Sequence, residues 1–520
     1  IWRAGELRLT AAAPILIRLI GSAPSGSQPR AGALRDYCIA WALGRLGDQA
    51  AVEPLVRLWR ASSTPDQVRR IAVEALRQLS DPEARAEMGR DLIAELPIPL
   101  RKPAASGTVA ELLAALRAYL APPVAVAPVA AAPAKPKRAS DNDEDEDEDD
   151  DEDEAAAEIS GDPALIEVLE SFYLIDSETV RAALIEFLRT APLRPNYFKA
   201  LRHIFKAAEY RRDGEVFGLL AYRFEKERAF FRLRYYGARY VQLKSGMMSI
   251  KRKDVRAELA HEESQIAFGE NTRDYLRRRT WRTLMRMGEI NDLEYVRMAV
   301  GVLLPFTDAD AVPVKRRSRR NWDIFAPYWA FNHILYGKSA RYAPQSNAKA
   351  WHCRPKYKPG DPEPALREEA FQRLWNERPQ GLLHLLAESE CRPVHSFAVK
   401  TLRSCTAFLG ELDSEAIVML LGRPYEVTAQ LGAELAIARY QPAAPDHALL
   451  LALASCEYAA GRAQALRWLD EKREHFLADS DLVLALCLNR HADTRAFALR
   501  LLRSAALPEA AARALIVRMV

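Results

Sequence analysis

"DQVRRIAVEALRQL", residues 66–79, decides the fold. Val68, Ile71, Ala72, Ala75 and Leu76 recur three or four positions apart, which places them on one face of an α-helix. Charged residues fill the rest of the turn. The small Ala72 in the middle of the apolar face lets a second helix approach closely. The stretch has relatives along the chain: "GALRDYCIAWALGRL" (32–46), "ETVRAALIEFLRTA" (178–191), "RPVHSFAVKTLRSC" (392–405), "YEVTAQLGAELAIA" (425–438) and "ADTRAFALRLLRSA" (492–505). Ala183, Ala398 and Ala498 stand where Ala72 stands. Arg69, Arg181, Arg273 and Arg495 sit beside the entry residue, within reach of carbonyls or a carboxylate of an adjoining unit. "TRDYLRRRTWRTLMRM" (272–287) fits the same line, with Tyr275, Leu276, Trp281 and Leu284 expected inward.

Shorter segments lie between these helices. "GDQAAVEPLVRLWR" (47–60) makes a turn at Gly47-Asp48 and returns with Leu55, Leu58 and Trp59. This turn-plus-helix pairing, with D-x-V-R-x-x-A-x-x-A-L at 66–76, resembles the short bacterial HEAT repeats, most clearly over 30–92 and 385–515. The resemblance implies an all-α, HEAT/ARM-like α-solenoid, a right-handed superhelix of helix pairs in which each pair covers the apolar side of the next. It also implies a binding scaffold rather than a chemistry. "AAEYRRDGEVFGLLAYRFEK" (207–226) and "YWAFNHILYGKSARY" (328–342) are more loosely similar to uncharacterised bacterial HEAT proteins, some of which carry a WGR domain; no such domain is visible in this sequence.

Composition agrees with a helical reading. Glycine is 23 of 520 residues, below the usual share of about 7%, and Ala, Leu and Arg are strong helix formers. The six cysteines are scattered, as expected for reduced thiols in a cytoplasmic protein. No apolar run reaches the ~18 residues of a membrane span. The chain starts at Ile1 and ends within an apolar-periodic segment, as expected for part of a longer protein.

One tract breaks the pattern. "PPVAVAPVAAAPAKPKRAS" (122–140) precedes "DNDEDEDEDDDEDE" (141–154), thirteen carboxylates in fourteen positions. Self-repulsion and the lack of apolar residues predict disorder. The expected organisation is N-terminal repeats over 1–121, a linker over 122–158, an irregular basic helical section over 159–380 and C-terminal repeats over 381–520. The chain carries a net charge of +4; without the tract the remainder is strongly basic.

Positive charge concentrates in the middle. Residues 201–260 hold fifteen Lys/Arg against seven Asp/Glu, with aromatics interleaved. The candidate contacts to nucleic acid or an acidic partner are Arg232, Arg234, Lys251, Arg252 and Lys253. Arg277, Arg278, Arg279 and Arg282 follow. Lys315, Arg316, Arg317, Arg319 and Arg320 complete the set, in "VKRRSRR" (314–320), which reads as a loop. Such cations neutralise phosphates and release counterions, and aromatics stack bases. On a solenoid helix, arginines also serve as a solvated face or a ladder between repeats.

Sequence signatures of chemistry are incomplete. Gly337-Lys338-Ser339 lacks the first glycine of a phosphate loop, since Asn332 stands there. "HEESQ" (261–265) has Gln265 where a zinc-protease helix needs its second histidine. His352-Cys353 and Cys391/His395 lie too far apart for a finger. His333 reads as a half-buried histidine bonded to backbone or carboxylate. Asp323, between Trp322 and Phe325, reads as a helix cap or as the acid of a groove enzyme. No catalytic residue, metal ligand or cofactor is assigned. The expected function is a non-catalytic scaffold holding a protein partner on its concave surface. The alternative is a nucleic-acid-binding solenoid whose cationic 201–320 face is regulated by the acidic tract. A groove enzyme is the remote third.

Overall fold

The computed structural model describes residues 1–21, 29–120, 163–229, 232–235, 238–243, 246–249, 266–317, 320–346, 349–477, 479–504, 513 and 517. The acidic tract, Lys251, Arg252, Lys253, Arg319 and the 261–265 motif lie outside them. The protein is all-α, with three small antiparallel sheets. Its contacts divide it into two units, Ile1–Thr280 and Trp281–Val520.

The first unit contains α1 (Pro29–Leu46), α2 (Val52–Arg60), α3 (Asp66–Leu79), α4 (Pro82–Glu95), α5 (Pro163–Ile175), α6 (Glu178–Thr190), α7 (Pro195–Arg211) and α8 (Gly214–Lys226). Strands β1 (Arg232–Tyr235), β2 (Ala238–Leu243) and β3 (Gly246–Ser249) follow, then α9 (Glu270–Glu289), within which the unit boundary falls. The predicted apolar face of α3 is buried, with Ala72 and Ala75 fully inaccessible. Its counterpart on α6, Val180 to Leu188, is buried too. Close approach explains Gly44 of α1: a Cβ there would lie 2.8 Å from the Ala75 Cα and 2.1 Å from the Tyr210 hydroxyl. Aspartates start several helices. Asp81 accepts from the Ala84 N–H at 2.8 Å and Asp213 from the Val216 N–H at 3.3 Å, satisfying donors the helix leaves open.

The expected division at 121/159 does not hold as a packing boundary. Helix α3 packs on α7, and α4 on α5. Glu74, 4% exposed, accepts from Arg211 Nη2 at 2.9 Å. Arg77 donates to the Leu174 carbonyl at 2.7 Å and to Asp176 at 3.1 Å. The Tyr210 hydroxyl donates to the Trp41 carbonyl at 3.1 Å. Buried polar groups of residues 1–120 thus find their partners in 163–226, which joins the two segments in one core. Arg181 reaches Asp213 at 2.7 Å and Glu215 at 2.8 Å, so its expected bridging role is met.

In the second unit, α10 (Glu294–Leu303) leads to two hairpins. Strands β4 (Lys315–Arg317) and β5 (Arg320–Trp322) form the first; β6 (Tyr342–Gln345) and β7 (Ala350–Cys353) form the second. Helix α11 (Trp329–Tyr336) lies between them in sequence. The 159–380 section is therefore not purely helical, and "VKRRSRR" is a hairpin rather than a loop. The strands 315–317 and 320–322 pair through their backbones, and the side chains of Lys315, Arg316 and Arg320 are exposed.

Paired helices then follow: α12 (Gln380–Glu388) with α13 (Arg392–Leu402), α14 (Ser414–Gly422) with α15 (Glu426–Arg439), α16 (His447–Ala454) with α17 (Ala459–Glu471), and α18 (Ser480–Cys487) with α19 (Ala492–Ser504). Each first helix also packs on the next first helix, and each second helix on the next second helix, giving two rows. The core between them is Leu- and Ala-rich, and Ala398 and Ala498 are fully buried in it. All six cysteines are free thiols. Among the described residues, no helix is long and apolar enough to cross a membrane.

Candidate functional site

Two arginines of α9, Arg277 and Arg279, are spent inside the protein. Arg277 is 5% exposed; its Nε donates to Glu225 of α8 at 2.6 Å, and its Nη1 lies 3.4 Å from Asp274. Arg279 donates twice to Glu209 of α7, at 2.9 and 2.8 Å, and once to the Tyr275 hydroxyl at 2.9 Å. Arg278 is half-buried, and only Arg282 of the four candidates on this helix is exposed. The expectation of a ligand-gripping face is therefore corrected for Arg277 and Arg279: α9 packs its Leu276 and Leu284 inward, and Glu225 and Glu209 of neighbouring helices meet these two arginines. Arg232 and Arg234 fall on β1, opposite Val241 and Arg239.

The hairpins of the second unit are different. Residues 311–360 contain eleven Lys/Arg and a single acid, Asp323. Lys315, Arg316 and Arg320 are exposed on the first hairpin, and Arg354, Lys356 and Lys358 are exposed on and after β7. Among the described residues these six cations form no ion pair; Arg320 donates to the neutral Gln345 Oε1 at 3.0 Å and Arg354 to the Tyr342 carbonyl at 3.0 Å. Where sequence reading stopped at Arg320, the chain returns through Lys349–Lys358 beside it. The signal was in the sequence as the near absence of acids over fifty residues, but a window ending at 320 split it.

A buried charge anchors this surface. Arg341, 7% exposed, donates through Nε to both oxygens of Glu368 at 3.1 Å and through Nη2 at 2.5 Å. The rings of Tyr336, Tyr342 and Tyr357 surround its guanidinium at 5.5, 5.1 and 5.3 Å. Burial opposes the Arg341 charge, but the bidentate Glu368 contact outweighs it and keeps the guanidinium charged. The Tyr342 hydroxyl donates to Asp323 Oδ2 at 2.5 Å. Burial, Tyr336 and this bond hold Tyr342 protonated far above the usual phenol range. Asp323 thus ties β6 to the end of β5 and caps no helix, since α11 begins at Trp329. These groups lock one another, and the cations outside them remain available.

His333 departs from expectation. No carboxylate or carbonyl meets its Nε2, which is buried and unpaired among the described residues. Instead its ring is stacked on Trp281 at 4.3 Å and meets Trp329 and Trp351 edge-on at 4.5 and 4.8 Å. Burial pushes its pKa down to about 3, so the imidazole is neutral. His395 has both ring nitrogens engaged, by the Thr428 hydroxyl at 2.8 Å and the Ser389 carbonyl at 2.9 Å. Among the described residues no group of three His, Cys, Asp or Glu side chains is placed to hold a metal.

Hairpin β4–β5 packs on β7. In the β4–β5 ladder Lys315 lies opposite Trp322. The Trp322 ring lies 5.9 Å from that of His352, inclined at 51°. Burial first, then the charges of Arg320 and Arg354, lower the His352 pKa, so this imidazole is neutral between two cations. The site is a cationic surface that holds two neighbouring aromatic rings, Trp322 and His352. No protein-family model, no curated protein and no solved structure matches this chain.

Proposed function

We propose that the chain is a HEAT-type helical-repeat solenoid that acts as a non-catalytic scaffold, and that its hairpin insert holds the phosphate backbone of a nucleic acid. The observation that carries this reading is the excess of exposed, unpaired cations on hairpins pinned by Arg341 and Asp323. A surface of one sign attracts a polyanion and gains from counterion release. The helix rows support the scaffold part. Their charges are matched between repeats, Arg403 with Glu434 at 2.9 Å and Arg462 with Asp493 at 2.9 Å, so they suit a frame. Free thiols at all six cysteines suit a reducing compartment, and we place the protein in the cytoplasm on that ground.

The test is fluorescence anisotropy with labelled DNA and RNA over a salt series. The combined variant Lys315→Ala, Arg316→Ala, Arg320→Ala is expected to bind at least about tenfold more weakly and to lower the salt slope by about 2–3. Binding that ignores this variant, or no binding at low salt, rejects the reading and leaves an acidic protein as the partner to pursue.

A further inference from the structure

We infer that the surface where the two hairpins meet takes a single-stranded nucleic acid, with an unpaired base laid on Trp322 and His352. The inference rests on the nucleic-acid reading above and adds which form of nucleic acid the site selects.

Four observations converge. Trp322 and His352 are both half-buried, with their rings 5.9 Å apart. The indole N–H of Trp322 is buried and has no acceptor among the described residues. What such a ring can expose is carbon, which suits stacking, and not its donor, which would suit edge reading. Cations flank the rings on separate strands: Lys315 across the ladder from Trp322, Arg320 two residues before it, and Arg354 two residues after His352. That arrangement places a backbone on either side of a stacked base. Finally, the Arg320 bond to Gln345 ties the first hairpin to the second, so the platform is formed before a ligand arrives.

Duplex bases are already stacked on their neighbours and show only their edges in the grooves. A strand with unpaired bases can turn one onto the indole. Stacking tolerates any base, so the site is expected to prefer single strands without reading a sequence.

The experiment compares three probes on the full chain: a labelled single-stranded oligothymidylate, a duplex of the same length, and inorganic polyphosphate, which has the charge and no bases. Trp322→Ala is expected to weaken single-strand binding about tenfold, while Trp322→Phe keeps most of it. Polyphosphate affinity is expected to stay unchanged in both variants, which also shows that the hairpin is still folded. Equal affinity of the native protein for single strand and duplex overturns the inference. So does a Trp322→Ala variant that binds the single strand normally, or one that loses polyphosphate in parallel. Those outcomes leave the charge-based reading standing if the Lys315/Arg316/Arg320 variant still loses every probe. Failure of the native protein to bind any probe removes both.

Discussion

Two arginine-rich stretches of this protein look alike in sequence and behave oppositely. In α9, Arg277 and Arg279 are drawn into ion pairs with Glu225 and Glu209. In the β4–β5 hairpin, Lys315, Arg316 and Arg320 stand in water with no carboxylate partner among the described residues. Both stretches hold several cations within a few residues. The difference lies in the neighbours, because α9 is packed against helices that bring acids and the hairpin is surrounded by a segment almost without them. Charge density along a chain measures how many cations there are; only packing decides whether they are already neutralised.

Stability measurements test that contrast directly. Arg277→Ala removes the guanidinium 2.6 Å from the Glu225 carboxylate, whose side chain is 2% exposed. Breaking a buried pair in this way costs about 3–5 kcal/mol, to be read as a fall in denaturant midpoint. A loss below about 1 kcal/mol would mean that α9 is not the closed ladder described above.

The helix rows rest on close approach, and Gly461 of α17 tests it. A Cβ at 461 would sit 2.9 Å from the Ala433 Cβ and 3.1 Å from Leu453 Cδ1. Gly461→Val is expected to cost roughly 1–3 kcal/mol through overpacking. A neutral outcome would show that α15 and α17 are looser than they stand.

Acid should weaken the protein through its buried histidines. Burial lowers the His395 pKa to about 4, against about 6.5 in an unfolded chain. Between those values the unfolded chain binds a proton that the native state refuses. Stability is therefore full above about pH 6.5 and declines as pH falls toward 4, by up to roughly 2 kcal/mol at pH 5 from this residue. Denaturation at pH 7 and pH 5 measures it, and His395→Gln should flatten the dependence. An unchanged slope in that variant would assign the acid limb to other groups, His333 first.

The smallest stability effect belongs to the hairpin. Removing Lys315, Arg316 and Arg320 together should leave stability within about 0.5 kcal/mol, as for surface positions, while changing polyanion affinity as stated above. A large loss of stability would show that these cations hold the fold, and the contrast with α9 would collapse.

The helices were legible because burial has a period. Val68, Ile71, Ala72, Ala75 and Leu76 announce both the helix and its inward face, and the small residues at 72, 183, 398 and 498 are all fully buried. The hairpins were not legible. Strands of three or four residues give too short a window for alternation to show, and in "VKRRSRR" only Val314 is apolar, which is too little to mark a face. The partnership of Glu74 with Arg211 was also invisible, because it joins positions 137 residues apart. The cationic surface was half legible: its first hairpin stood out as a charge run, but its second was dispersed among Lys349, Arg354, Lys356 and Lys358.

The sequence by itself determined the helices, their buried faces and the abundance of positive charge, since these follow from spacing and composition within one segment. Tertiary structure alone decided which charges are spent and which are offered. It placed acids against Arg277 and Arg279, closed tyrosines around Arg341, and laid Trp322 beside His352, because an electrostatic or stacking partner is fixed by distance in space and not by distance along the chain.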